Sequence, residues 1–423
     1  MATRPAGAAP ANSSQAGALF GLPGITRPTE QAENNDGLAI TPAAATQTTV
    51  TGMVPFKQTD VIKAWRAEFT VNATYAAGTT TLNLSQYFPY NFVGPLSLQY
   101  QGQWSPINVQ SGIDAAIFQS YRPYQYGEQL NGRNLLDTSP ASLPYNAQAN
   151  LVSASNYTAA STKFQFTLDL PGGLDFDRYF PIGPDGSLLS TAPMKAFVSP
   201  QYMAGSARIV TPSITMNQLV SSGAGTTDVV PIYGSGTQTT PASVSGVSGS
   251  IGFQRVGWYQ PTGASDSPVI MNWQYTRQSR QYSIAGRSTV DLPIPLNGQI
   301  LSVFVRLYDP AANTISTVAY GAPISVANVS KAQVLYGSGL YRFQDTPLRA
   351  QERFMRQHQF LPPQGVIIWD MAQQNDGLIT NAEVLNTMTT AGCTVHLEFT
   401  GAQSSSAYAV IGVEALTYVE VVS

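Results

Sequence analysis

In Trp65-Arg66-Ala67-Glu68-Phe69-Thr70-Val71-Asn72-Ala73 every odd-numbered residue is apolar and every even-numbered one is polar. A period of two is the mark of a β-strand with one face on a core and the other turned away from it. The pattern recurs along the chain. Leu82 and Leu84 keep it, as do Leu96, Leu98 and Tyr100. Phe164, Phe166, Leu168 and Leu170 give the cleanest case, stopped by Pro171-Gly172-Gly173. Ile209 and Val210 precede Pro212, which predicts an edge or bulged strand. Ile251, Phe253 and Trp258 mark another strand, and Met271, Trp273 and Tyr275 the next. Tyr282 and Ile284 follow, then Leu301, Val303, Val305 and Leu307, until Asp309-Pro310 turns the chain. Val366 to Trp369 is a continuous apolar run, as in a strand buried on both faces. Val395, Leu397 and Phe399 alternate with His396 and Glu398, and residues 410–422 supply the closing strands. The chain is therefore expected to be all-β.

Between these strands lie long polar excursions at about 104–160, 217–248 and 311–335, of the length that decorates the ends of a β-sandwich or jelly roll. One amphipathic helix stands out late in the chain. Thr346 can cap it, Pro347 suits its first position, and it continues through Leu348, Ala350, Phe354 and Met355 to a stop at Pro362-Pro363. Arg349, Arg353 and Arg356 share much of one side, read as a solvated face, with an inter-subunit or lipid-phosphate contact as the alternative. Residues 1–52 are rich in Ala, Pro, Gly, Thr, Asn and Gln and carry little periodic apolar pattern. Such a segment cannot offset its own ordering entropy. It is either a free terminus or an arm that orders on neighbouring subunits through Leu19, Phe20, Leu22 and Ile25, and as an arm its loss would spare trimers and impair shells. The expected division is an arm over 1–52, one β-sandwich with long loops over 53–265, and a second over 266–423.

Only 11% of the 423 residues are charged, against an ordinary share of roughly 25%. The surface must then be polar mainly through Ser, Thr, Asn, Gln and Tyr. Few charges have to be stripped of water when one such surface packs on another, so the composition leans toward a surface used for contacts. The net charge of −3 offers no basic field for nucleic acid. Cys393 is the single cysteine, so no intrachain disulfide can form. Residues 1–20 hold no continuous apolar export signal, and no stretch approaches the ~18 uninterrupted apolar residues of a membrane-spanning helix.

A search for chemistry returns little. His358 and His396 are the only histidines, which makes a His-rich metal site unexpected, and both are read as satisfied surface or interface residues. Cys393 needs a base to become a nucleophile, yet His396, three residues on along a strand, should face the opposite side of the sheet. Asp175 and Asp177 form the one compact acidic group and are read as a charged turn beside Arg178, with a glycosidase-like pair as the alternative. Gly234-Ser235-Gly236 lacks the Lys-Ser/Thr of a phosphate loop. No residue is assigned to catalysis, to a cofactor or to a metal, and the chain is expected not to be an enzyme.

The order of these pieces resembles the double jelly-roll major capsid proteins of tectivirus-type, membrane-containing icosahedral phages, the adenovirus hexon lineage. Val61 to Val71 looks like the family's first strand after an arm, Leu96 to Tyr100 like the next, and Phe164 to Leu170 like the strand beyond the first long loop. Tyr341-Arg342-Phe343, the late helix and Gly365 to Asp370 look like the helix-then-strand passage of the second jelly roll, and Val395 to Phe399 with Ala409 to Tyr418 like its closing strands. The resemblance implies two jelly rolls side by side, three copies in a pseudo-hexagonal homotrimer, and trimers tiling an icosahedral shell over an internal membrane. The implied partners are the chain itself, other capsid proteins such as vertex proteins, and membrane lipid, with no sequence-specific nucleic acid contact. The implied location is the virion, assembled in the host cytoplasm. Besides a β-sandwich hydrolase using Asp175 and Asp177, two other readings stay open. One is a minor capsid protein of the same fold. The other is a glycan-binding module of a spike or secreted lectin, stacking sugars on loop aromatics such as Trp104, Tyr121 and Tyr124.

Overall fold

The computed structural model describes residues 25–26, 38–40, 47–56, 60–74, 90, 93–100, 104–121, 161–171, 208–217, 243–259, 273–295, 298–309, 322–336, 340–358, 361–363, 365–371, 385–386 and 392–418. In the first half the strands are β1 (Ile25–Thr26), β2 (Leu38–Ile40), β3 (Thr48–Thr51), β4 (Val54–Phe56), β5 (Asp60–Thr74), β6 (Val93–Tyr100) and β7 (Trp104–Val109). Helix α1 (Gly112–Ser120) follows, then β8 (Ser161–Pro171), β9 (Arg208–Met216) and β10 (Ser243–Tyr259). The second half opens with β11 (Trp273–Ser283), β12 (Thr289–Pro293), β13 (Gln299–Asp309), β14 (Ala322–Pro323), β15 (Val329–Tyr336) and β16 (Leu340–Asp345). Helix α2 (Pro347–His358) leads to β17 (Val366–Asp370), β18 (Leu385–Asn386), β19 (Cys393–Phe399) and β20 (Tyr408–Tyr418).

Among the described residues these strands form three sheets. One runs β1-β10-β5-β8, with β2 also on β10; one runs β12-β19-β15-β16; the third and largest runs β14-β13-β20-β11-β7-β6-β9-β3, with β17 and β18 on β13 and β4 on β9. The two halves share one plan. Each has an eight-residue strand of a hairpin, β6 or β15, that turns into a second strand, β7 or β16, and then a helix, α1 or α2. A four-strand row β3/β4-β9-β6-β7 in the first half matches β12-β19-β15-β16 in the second, and β1/β2-β10-β5-β8 matches β11-β20-β13-β17. Each half is thus a sandwich of two four-strand rows. The row of β7 and the row of β11 join edge to edge through a parallel pairing, Arg277 beside Ile107 and Gln278 beside Asn108.

The alternating patterns land as expected where the chain is described. Ala67, Phe69 and Leu168 point inward, with Ala67 opposite Leu168 and Phe69 opposite Phe166. β19 alternates buried and half-buried residues along its whole length, and β17 is buried at every position. At Pro212 the irregularity falls on the neighbouring strand. β3 pairs with 213–216 and β4 with 208–210, and the break at Gly52-Met53 lies opposite Pro212, which has no N–H to donate. The core of the second half gathers Val290, Leu292, Val303, Val305, Trp369 and Val395 between its two rows.

Three expectations change. The late helix is not alone, because α1 occupies 112–120 inside the excursion read as polar loop over 104–160. The other two excursions are also partly strand, since β10 begins at Ser243 and β15 at Val329. Their openings, Ser-Val-Ser-Gly-Val-Ser-Gly-Ser and Val-Ser-Lys, are too small or too mixed to show a clear apolar stripe. Within the span read as an arm, 1–52, β1 and β2 are hydrogen-bonded to β10 and β3 to β9. These strands draw on partner strands, not on apolar periodicity of their own. Of the proposed arm anchors Ile25 pairs with Tyr259; Leu19, Phe20 and Leu22 lie outside the described residues, as do Leu82, Leu84 and Met271.

Candidate functional site at the seam between the two halves

Helix α1 belongs to the first half by sequence and packs across the face of the second. Ser111 caps it, its hydroxyl accepting the N–H of Asp114 at 3.3 Å. A helix so apolar all round, with Ile113, Ala115, Ala116, Ile117 and Phe118 in one turn and a half, has to be covered on every side, and all five are buried. Gly112 is required at its start, since a Cβ there would sit 2.6 Å from the Tyr90 carbonyl oxygen. On the other side, β13 turns Val303, Val305 and Leu307 into the core of its own half. The alternate residues Ser302, Phe304, Arg306 and Tyr308 face outward along the same strand and are buried too. Ser302, Phe304 and Arg306 meet Tyr121, Phe118 and Asp114 of the α1 segment, and Tyr308 stacks on Tyr408.

The contact is a hydrogen-bonded ionic lattice between two aromatic contacts. Arg306 Nε donates to Asp114 Oδ1 at 2.9 Å, and its Nη2 reaches the same oxygen at 2.9 Å. Ser279 donates to the other Asp114 oxygen at 2.8 Å while accepting the backbone N–H of Gln110 at 2.7 Å. Two turns along the helix, Arg277 of β11 donates to Glu414 of β20 at 3.0 Å, its cross-strand neighbour in the ladder. Ser302 gives its one proton to the second Glu414 oxygen at 2.9 Å, so Tyr121 must be the donor in its 2.8 Å bond to Ser302. Phe118 lies between these clusters, 4.9 Å edge-on from Phe304 and 5.1 Å beneath the Arg277 guanidinium. Arg306 rests 4.8 Å over Tyr308, whose phenol burial pushes up to about 12 against the opposing pull of Arg306. All four charged groups are essentially sealed from solvent, with side-chain exposures of 0–2%. A buried ion pair adds little net stability over an apolar equivalent, but losing one partner strands the other charge at a cost of roughly 3–5 kcal/mol. Of the two pairs, Asp114–Arg306 crosses between the halves, whereas Arg277 and Glu414 both belong to the second.

A second cluster ties α2 to the same seam. Arg353 makes a bidentate pair with Asp345 at 2.7 and 2.8 Å, and Trp369 Nε1 donates to that carboxylate at 3.2 Å. His358 Nε2 lies 2.9 Å from Asp370 Oδ2, and its ring packs tilted against Phe354 with centroids 4.4 Å apart. Tyr121, at the end of α1, meets Phe354 at 6.0 Å. The expected surface position of His358 is thus corrected: its side chain is 1% exposed, because the helix turns that face inward. His396 does stay on the outer side of its strand, bridging Asp291 at 2.7 Å and Glu398 at 3.2 Å. Hydrogen bonds from Lys331 first, and then His396, hold the exposed Glu398 carboxyl below the usual range. Cys393 faces the opposite way, as read from the strand period; burial pushes its thiol up to about 12, and the sulfur donates to the Leu335 carbonyl at 3.1 Å.

Of the aromatics that suggested sugar stacking, Tyr121 is fully buried and bonded to Ser302, which removes it from any loop surface. Trp104 lies in β7, and Tyr124 lies outside the described residues. Asp175 and Asp177 also lie outside them. Among the described residues no group of three His, Cys, Asp or Glu side chains could hold a metal ion. Sequence reading missed Asp114, Arg277, Arg306 and Glu414. The one available signal was Ser111-x-x-Asp114, a helix-start pattern within the supposed loop.

No protein-family model matches the chain, and no curated protein matches it. Solved structures do. The STIV MCP is 13% identical with a TM-score of 0.52, covering 93% of this chain and 97% of that one. A chain of the atomic structure of Sulfolobus Turreted Icosahedral Virus is 14% identical with a TM-score of 0.55, over 92% of this chain and 91% of that one. PBCV-1 VP54, fitted into a reconstruction of the virophage Sputnik, is 11% identical with a TM-score of 0.54, over 92% and 94%. Likeness at these identities is likeness of fold. The chain is all-β and has the double jelly-roll fold.

Proposed function

We propose that this chain is a structural, non-catalytic major capsid protein whose copies assemble into the shell of an icosahedral virion. The observation that carries the reading is the seam. Two jelly rolls are joined edge to edge, with the buried Asp114–Arg306 pair crossing between them, and the chain keeps the fold of proteins that, by their names, are coats of icosahedral viruses. A rigid block of two near-equivalent units suits a closed assembly, because each unit can present the same kind of edge to the next. The low charge of the chain lowers the desolvation cost of such contacts. We assign residues 53–265 to the first jelly roll, with β1 to β3 completing its rows, and residues 266–423 to the second. The assembly unit is a homotrimer with a pseudo-hexagonal outline, and vertex proteins and an internal membrane are its further contacts in the virion. Light scattering on the purified protein tests the unit. A particle of three 45.2 kDa chains, forming lattices on electron-microscope grids, is expected. A monomer that never assembles at any concentration overturns the reading, and clear signals on a glycan array would then favour a sugar-binding module.

A further inference from the structure

In the second half, a cavity of about 440 Å³ opens between the stretch that joins β14 to β15 and the turn that joins β19 to β20, with Asp309 from the end of β13 beside them. Backbone hydrogen bonds fix both walls. The Ile324 N–H donates to the Leu307 carbonyl at 3.0 Å, and the Asn328 N–H to the Ser325 carbonyl at 3.0 Å. Thr400 ties one wall to the other, its N–H donating to the Asn328 carbonyl at 2.8 Å. The turn after β11 holds the second wall in turn: the Gln403 N–H donates to the Arg287 carbonyl at 3.0 Å, and the Gly286 N–H to the Gln403 carbonyl at 3.0 Å. Asp309 accepts the hydroxyls of Ser404 and Ser406, the latter at 2.6 Å. The cavity is thus formed before any ligand arrives, which keeps the ordering cost of binding low.

The lining decides what can enter. Among the described residues no Lys or Arg lines the cavity, so phosphates and acidic sugars find no counter-charge. Its one carboxylate, Asp309, is taken up by serine hydroxyls, and a single carboxylate does not make a divalent-cation site. No aromatic ring lines it either, so a flat apolar ligand has nothing to stack on. What remains is neutral and hydrogen-bonding: Ser325, Asn328, Thr400 and Gln403, beside the apolar Pro323 and Ile324. Internal bonds leave capacity on three of them. The Ser325 hydroxyl accepts the Ala327 N–H at 3.3 Å and keeps its own proton to donate. Gln403 spends Nε2 on the Gly401 carbonyl at 3.0 Å and keeps Oε1 to accept. The Asn328 amide keeps both a donor and an acceptor end. Donors and acceptors mixed in one small cavity match a ligand whose hydroxyls each donate and accept.

We propose that this cavity binds a neutral saccharide, one hexose or N-acetylhexosamine unit of a glycan, through Ser325, Asn328 and Gln403. Its volume lies in the range of small-molecule sites, roughly 300–1,000 Å³. Pro323 and Ile324 offer the apolar contact that the C–H face of a sugar ring takes. The site is complete within one chain, so the proposal does not rest on the assembly reading above. It also differs from sugar stacking on loop aromatics, because recognition here is by hydrogen bonds. In a shell the site would repeat on every copy, and many weak contacts to one glycan-bearing surface would add up to firm attachment.

The test is saturation-transfer NMR on the full chain with the methyl glycosides of glucose, galactose, mannose and N-acetylglucosamine. Sialic acid and glucuronic acid serve as anionic controls, and neutral polysaccharides of the same sugars as a second arm. At least one neutral monosaccharide should receive saturation and neither acid should. Asn328→Ala/Gln403→Ala should bind that sugar about tenfold more weakly, the effect of losing one or two hydrogen bonds. A Cβ at Gly401 meets nothing within 4 Å, so Gly401→Trp should fold normally and block the cavity. No neutral sugar bound, acids bound as well, or variants that bind like the native chain would each overturn the proposal. Binding of a polysaccharide without any monosaccharide would move recognition to an extended surface and overturn it too. Should the variants misfold, amide hydrogen exchange on the native protein decides: the sugar should slow exchange within 323–328 and 400–404, and slowing elsewhere or nowhere counts against the site. Light scattering reports on assembly alone, so the two readings fail separately.

Discussion

Asp114 holds two partners from the other half of the molecule, the Arg306 guanidinium and the Ser279 hydroxyl, with no water-facing side. Asp114→Ala leaves Arg306 buried beside an emptied pocket. The expected loss is roughly 3–5 kcal/mol, the usual cost of stranding one member of a buried pair. A urea melt checks it as a lowered midpoint, and Asp114→Asn, which keeps the bond to Ser279, should fall in between. Cys393 gives a second residue-level test. Its folded-state pKa is raised, to about 12, by burial, so the stability tied to the neutral thiol is whole below the ordinary thiol value of 9.0 and is lost as pH rises from there through about 12. Thiolate is the reactive form, so iodoacetamide at pH 8 should label Cys393 in urea and leave the native protein unlabelled. Rapid labelling without denaturant would show the thiol is not sealed beneath β15. Cys393 and its outward neighbour His396 were readable from the strand period alone, because alternation needs only local sequence. Arg277, Arg306 and Glu414 were not, because a charged residue on the alternate face of a strand reads as solvent-facing until something is known to cover it.

At the scale of elements, β13 shows how far a pattern carries. Leu301, Val303, Val305 and Leu307 announced a strand with one dry face, and the strand is there. Its other face is dry as well, since α1 lies on it. Helix α2 was legible in its position and its Thr346 cap, which are local signals, but not in its facing, since Leu348 and Met355 are exposed and His358 is buried. Helix α1 is apolar all round, carries no stripe, and lies in a stretch bounded by polar residues, so nothing in its own period distinguished it. Its docking rests on Phe118, wedged between Phe304 and Arg277, and on Gly412, where a Cβ would strike the Phe304 ring. Phe118→Ala removes a large buried ring, at an expected cost of about 3–5 kcal/mol. The loss should be local first: hydrogen exchange over 112–120 should speed up before the strands of the second half lose protection. Equal loss of protection across both halves would mean that α1 is not a separable element of the seam.

For the whole molecule the question is what the N-terminal segment does, because opposite outcomes follow from two placements of it. An arm that only reaches neighbouring subunits could be removed with little effect on the single chain. Strands β1 and β2 instead form the outer strands of the β10-β5-β8 row, and β3 pairs with β9 in the continuous sheet. Backbone groups of β10 and β9 along those edges would be left unpaired by their removal, and Ile40 would leave the interior of the first half. Deleting residues 1–50 takes away β1, β2 and nearly all of β3, so the chain should melt at a lower temperature even as a monomer. It should also fail to form trimers, since the first half that a second copy would meet is no longer complete. Deleting residues 1–24 spares all three strands and should leave both the melting temperature and the trimer intact. Calorimetry and light scattering on the two truncations separate these effects. A 1–50 deletion that melts like the native chain and still forms trimers would return the whole segment to the role of an arm.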